Sequence, residues 1–168
     1  MLAAGAFDFL DGFAARLLGA DAPMENYAPS PILQFFTRGG VERHYEGDLR
    51  SNFHPQGTTA DSIPVHEAGH ILERALIDRK TEWAMMGTYA WNKGIASKSI
   101  IAEACKAVKR TPDGKGLKNA QLIEQVSRYA TKNRSETLAE CVADYHANQE
   151  NARPLSREVW RILKRELG

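Results

Sequence analysis

The stretch Val65-His66-Glu67-Ala68-Gly69-His70 decides how this chain is read. It has the pattern His-Glu-x-x-His within a run of helical periodicity, since Val65, Ala68, Ile71, Leu72, Ala75 and Leu76 recur at spacings of three and four. Residues four apart on an α-helix share a face and stand about 6 Å apart along the axis. His66 and His70 can therefore aim two imidazole nitrogens at one point. Glu67 projects roughly 100° away around the helix, clear of a ligand position but within reach of a water held there. Two neutral imidazoles, a carboxylate beside a water and an open coordination position are the parts of a zinc hydrolase. The plainer alternative is an amphipathic helix that exposes two polar histidines. Asp61 or Ser62 can cap this helix, and Pro64 is tolerated in its first turn. The small Ala68 and Gly69 leave room for a neighbouring element to come close.

A catalytic zinc has three protein ligands and one exchangeable position, so a third ligand must come from elsewhere in the chain. The best source is the region from Tyr129 to His146. Asn133 or Ser135 reads as a helix cap, and Leu138, Ala139, Val142 and Ala143 supply an apolar face. Glu136, Glu140 and Asp144 follow at one-turn intervals along one stripe. Three acids in a row repel one another unless a cation or a basic partner lies opposite. A metal would explain the row, and so would a solvated acidic face. Glu136 also stands three residues after Asn133, where it can close a capping box instead.

These two segments resemble the catalytic domain of lethal-factor-like gluzincins, in particular the zincin-like domains of phage minor head proteins and prophage-encoded toxins. The likeness lies in Phe53-His54-Pro55-Gln56-Gly57-Thr58 leading into Val65–His70, and in Tyr129-Ala130-x-x-Asn133-x-x-Glu136-x-x-Ala139-Glu140. The resemblance implies that Glu136 is the third zinc ligand beside His66 and His70. It implies that Glu67 activates the zinc-bound water, that Tyr129 stabilises the oxyanion, and that Glu140 orients a ligand from the outer shell. The implied activity is that of a zinc-dependent endopeptidase acting on a protein or peptide. The alternative is a virion structural or interaction protein of the minor-head type. Its zinc would then be structural or its activity lost, and its partners would be other phage particle proteins. A toxin acting on a host or competitor protein would use the same chemistry.

The implied fold is mainly α (α+β), a zincin-like fold with a small sheet before the zinc helix. Val41-Glu42-Arg43-His44-Tyr45 is the segment able to supply a strand, and His44 would then face the cleft. Residues 1–40 read as a unit of their own. It comprises an amphipathic helix at 6–19 that serves core packing or docking, a linker with Pro23, Pro29 and Pro31, and a short helix at Ile32–Phe36 ending at Gly39-Gly40. Residues 41–168 read as the catalytic domain. After the extended stretch 41–58, helices are expected at 63–79, 82–91, 96–110 and 118–130. Another, carrying Glu136, runs to about 149, and a last helix at 156–167 follows Pro154. Thr111–Gly116 is a turn.

The chain has 168 residues, net charge +1 and 43% hydrophobic residues, which suits a globular domain with a core of its own. No charge bias points to nucleic acid or to a membrane surface. The basic residues Lys106, Lys109, Arg110, Lys115 and Lys118 read as a solvated helix end and turn. No apolar run is long enough to span a bilayer. The first residues carry Asp8 and Asp11 without a basic start, which argues against a secretory signal. The expected location is the cytoplasm of the producing bacterial host cell, or a phage particle. Cys105 and Cys141 read as reduced thiols, and Cys141 points off the Glu136–Glu140 face.

Overall fold

The structure, a computed structural model, describes residues 38–80 and 84–168. The expected elements at 6–19, 20–31 and 32–36 lie outside the described residues. Within them the chain forms α1 (Arg38–Arg50), α2 (Ile63–Lys80), α3 (Ala84–Asn92), α4 (Ile95–Val108), α5 (Asn119–Glu124), α6 (Arg134–Asn148) and α7 (Pro154–Leu167). Single turns of 3₁₀ helix at Ala60–Ser62, Pro112–Gly114, Tyr129–Thr131 and Gln149–Asn151 connect some of them.

No strand occurs among the described residues, which corrects the expected small sheet. The segment Val41–Tyr45 lies inside α1 instead. A strand would carry Arg43 onto the face shared by Val41 and Tyr45, because side chains alternate with a period of two. The helix turns Arg43 outward and aligns Val41, Tyr45 and Leu49 at four-residue intervals. Tyr45 is buried and its hydroxyl hydrogen-bonds Thr58 Oγ1 at 2.9 Å, while His44 pairs with Asp48 one turn on, at 3.4 Å. The Gly39-Gly40 pair, read as a stop, lies in the first turn of this helix.

The segment after α1 is tied down without a sheet. Arg128 N–H donates to Asn52 O (2.8 Å) and Tyr129 N–H to Phe53 O (3.0 Å). A second correction concerns the expected helix over 118–130. The helix there ends at Glu124 and Tyr129 sits in a separate turn. Ser127 is the reason. Its hydroxyl accepts the Ala130 N–H (3.0 Å) and donates to Glu140 Oε2 (2.7 Å), a bond to a distant helix that takes the place of continued helix.

The central element is α6. Every residue from Thr137 to Asp144 is buried, because α2, α4 and α7 pack around it. A helix enclosed in this way cannot keep a solvated acidic face. The core around it includes Leu76, Ile101, Leu122, Ile123, Leu138, Leu155, Ile162 and Leu163. On α7 the buried Leu155, Val159, Ile162 and Leu163 follow the helical period, with Arg157, Glu158, Arg161 and Arg165 on other faces. The most extensive packing joins α2 to α6, and Gly69 permits it. A Cβ on Gly69 would fall 2.7 Å from Ala139 Cα, so no other residue lets the two backbones approach this closely. Cys105 and Cys141 are free and buried, and burial pushes both thiols above their ordinary range. No helix among the described residues is long and apolar enough to cross a membrane.

Candidate metal centre

The close packing of α2 on α6 brings two histidines of one helix against an acid of the other. His66 Nε2 lies 3.2 Å from Glu136 Oε2, and His70 Nε2 lies 3.4 Å from the same oxygen. One donor atom from each residue lies within 4.8 Å of the other two. Glu136 does not close a capping box. Asn133 caps α6 alone, its Oδ1 accepting the Glu136 N–H at 2.9 Å, and the Glu136 carboxylate is left for the histidines.

The hydrogen bonds behind the rings fix their tautomers. Ser135 Oγ donates its one hydrogen to Glu73 Oε2 (2.6 Å), so toward His70 Nδ1 (3.0 Å) it can only accept. His70 therefore carries its proton on Nδ1. Glu140 Oε1 accepts from His66 Nδ1 (2.8 Å) and from His54 Nδ1 (3.1 Å), while its Oε2 accepts from Ser127 (2.7 Å). Burial raises the Glu140 pKa, but the bonds from His54, His66 and Ser127 outweigh it and hold the carboxyl below its usual range. It is thus an ionised acceptor, and His66 also holds a proton on Nδ1.

Both Nε2 atoms then turn lone pairs toward a carboxylate oxygen. Three acceptors converging on one point repel one another unless a cation or a proton lies between them. Burial lowers the His66 pKa, but the Glu140 hydrogen bond and the charges of Glu140, Glu136 and Glu67 raise it by more. With a metal, the donor set suits zinc: two imidazole nitrogens and one carboxylate oxygen. Bonds of about 2.0–2.1 Å in a tetrahedron place neighbouring ligand atoms about 3.3–3.4 Å apart. The separations of 3.2 and 3.4 Å agree with those edges. Histidine ligands backed by a carboxylate, as His66 is by Glu140, are the usual arrangement around zinc.

The chain matches no protein-family model, no curated protein and no solved structure.

Around this centre, Glu67 is exposed and lines two adjoining openings. Tyr129 reaches the site from its own turn, and its hydroxyl donates to Glu136 Oε1 (3.3 Å). Lys132 Nζ donates to that hydroxyl (3.1 Å) and lies over the Tyr129 ring, 4.8 Å from its centroid. The expected residues His66, Glu67, His70, Tyr129, Glu136 and Glu140 are thus brought together. Asp144, the third acid of the stripe, is not part of the group. It is buried and held by Arg153, through Nη1 (2.7 Å) and the backbone N–H (2.9 Å), and by Asn148 Nδ2 (2.7 Å). His44 does line the opening beside His66, but from a helix.

Four supporting residues escaped the sequence reading. Glu73 is buried one turn beyond His70 and accepts both the Ser135 hydroxyl and the Ser97 N–H (3.1 Å). Ser135 links it to His70, and Ser127 fixes Glu140. His54 stacks on Tyr45 with centroids 4.8 Å apart while it binds Glu140. Only Glu73 left a sequence signal, an acid on the helix face that carries both histidines.

Proposed function

We propose that this chain is a zinc-dependent endopeptidase of the gluzincin type. The observation that carries the reading is the convergence of His66 Nε2, His70 Nε2 and Glu136 Oε2 with both histidine tautomers fixed from behind. Bound zinc supplies a Lewis acid that polarises a carbonyl and makes water acidic enough to be deprotonated near pH 7. Glu67 lies on the open side, where a carboxylate takes a proton from the attacking water and returns it to the leaving amine. Tyr129 offers its hydroxyl to the developing oxyanion on giving up its bond to Glu136 Oε1, and Lys132 holds that hydroxyl in place. Glu140 and the Ser135–Glu73 pair keep both rings in the ligand tautomer.

The test is cleavage of a peptide library by zinc-loaded protein. Cleavage should stop with a chelator, return with zinc, and be absent in Glu67→Gln although that variant binds zinc normally. Cleavage by Glu67→Gln at the wild-type rate would overturn this assignment.

A further inference from the structure

Two openings meet at Glu67, and their walls differ in chemistry. The larger, about 670 Å³, is bounded by the end of α3, the start of α4 and the start of α6, and three cations line it: Lys93, Lys98 and Arg134. The smaller, about 330 Å³, is lined by the apolar and aromatic side chains of Val41, Phe53, Ile63 and Tyr129 as well as polar groups. Several basic residues elsewhere on this surface are matched with acids, among them Arg74 with Asp78, Lys80 with Glu166, Arg161 with Glu158 and Arg165 with Glu103. Among the described residues no carboxylate pairs with Lys93, Lys98 or Arg134. Lys98 Nζ donates to Lys93 O (2.7 Å), which brings both ammonium-bearing side chains to one turn. The carboxylates of this opening, Glu67 and Glu136, belong to its metal end, and the remaining charged side chains of its wall are cationic.

We infer that the cleft selects peptides with an acidic side chain on the α3–α4 side of the scissile bond and a large apolar side chain on the other. This rests on the peptidase reading for the direction of the chain through the cleft, but the subsite itself stands on the charge of the walls. Unmatched cations in a concave wall focus a positive field, and a carboxylate placed there neutralises it. Exposed pairs are individually weak and screened by salt, so the discrimination is modest. Glutamate should be favoured over glutamine by about three- to tenfold at low ionic strength, and by less at high salt.

The test uses octapeptide libraries in which each position in turn is fixed as Glu, Gln, Lys, Leu or Asn. Zinc-loaded wild type is read by cleavage rate. Zinc-loaded Glu67→Gln is read by fluorescence polarisation with the same peptides labelled. The expected order on one side of the cleaved bond is Glu over Gln over Lys, with Leu over Asn on the other. The double variant Lys93→Glu/Lys98→Glu should reverse the charge preference. Lys93→Gln/Lys98→Gln should weaken it, with Arg134 the one cation left in the wall, and both lysines are exposed, so neither pair disturbs the core. Equal handling of Glu and Gln, or a preference that survives charge reversal, overturns the acidic subsite. Equal handling of Leu and Asn overturns its apolar counterpart. If no peptide is cleaved but Glu67→Gln still binds the acidic peptides selectively, the subsite stands and the peptidase reading fails. If neither cleavage nor binding discriminates, the subsite fails.

Discussion

Replacing Gly69 by Ala should damage fold and metal centre together, because one contact carries both. The added Cβ would lie 2.7 Å from Ala139 Cα and 3.2 Å from Ala139 Cβ, whereas ordinary contact begins at 3.4 Å. The nearest obstacle is backbone, which has no rotamer to escape into, so α2 and α6 must separate by about 0.7 Å or more. Overpacking of this kind costs roughly 1–3 kcal/mol, and the better helix propensity of Ala returns up to about 1 kcal/mol. A net loss of about 1–2 kcal/mol corresponds to a fall in Tm of roughly 2–8 °C for a chain of this size. The same separation moves His66 and His70 away from Glu136, so zinc affinity should fall about tenfold or more. Thermal unfolding of the metal-free protein reads the first effect, and competition with a chromophoric chelator reads the second. Gly47→Ala is the control, since a Cβ there meets nothing within 4 Å and should leave stability unchanged or slightly raised. An unchanged Tm with unchanged zinc affinity in Gly69→Ala would refute the close approach of α2 to α6.

Glu140→Gln keeps the shape of a side chain that is 1% exposed but removes the ionised acceptor behind His66. Zinc should still bind one per chain with affinity lowered about 10- to 100-fold, and affinity within twofold of wild type in a competition titration counts against the role of Glu140. Ser135→Ala removes the acceptor that fixes His70 and strips Glu73 of one partner. It should lower both zinc affinity and stability, the latter by about 1–3 kcal/mol in chemical denaturation, and a silent substitution would contradict the Ser135–Glu73 relay. Burial pushes the Tyr45 phenol up to about 12, against opposition from its Thr58 hydrogen bond and with added help from the charges of Glu140 and Asp48. An acid whose folded pKa lies above its unfolded value stabilises the fold fully below pH 10 and loses that contribution as pH rises toward about 12. Denaturant titrations between pH 9 and about 12 should therefore show a shallower decline for Tyr45→Phe than for wild type, and parallel declines would exclude Tyr45 as the source.

The parts of the centre that obey local periodicity could be read from sequence. The helix that carries His66 and His70 is expected at 63–79 and spans Ile63–Lys80, because its apolar residues repeat along one face. The four-residue spacing of His66 and His70 makes their convergence a property of the helix itself. Glu136 was harder to read, since capping and metal binding compete for an acid at that distance from Asn133. Asn133 caps the helix unaided, which leaves the Glu136 carboxylate beside His66 and His70. What failed locally was the segment before the helix that carries His66 and His70. Gly39-Gly40 reads as a stop, and five residues such as Val41–Tyr45 fit either period until Leu49 and Asp48 are counted. What could not be read was tertiary. Ser127 ends a local helix for a bond to Glu140, and His54 reaches the same carboxylate across 86 positions of sequence. Glu73 looks like one more surface acid of a charged helix until Ser135, 62 residues away, and the Ser97 backbone are packed against it.

The most direct test of the account is the amount of zinc bound per chain, by elemental analysis, in wild type and in Glu136→Ala. The account predicts one zinc per chain in the wild type and none retained by Glu136→Ala after dialysis. Wild-type protein that holds no zinc even after reconstitution, or Glu136→Ala that holds it as well as wild type, would contradict it.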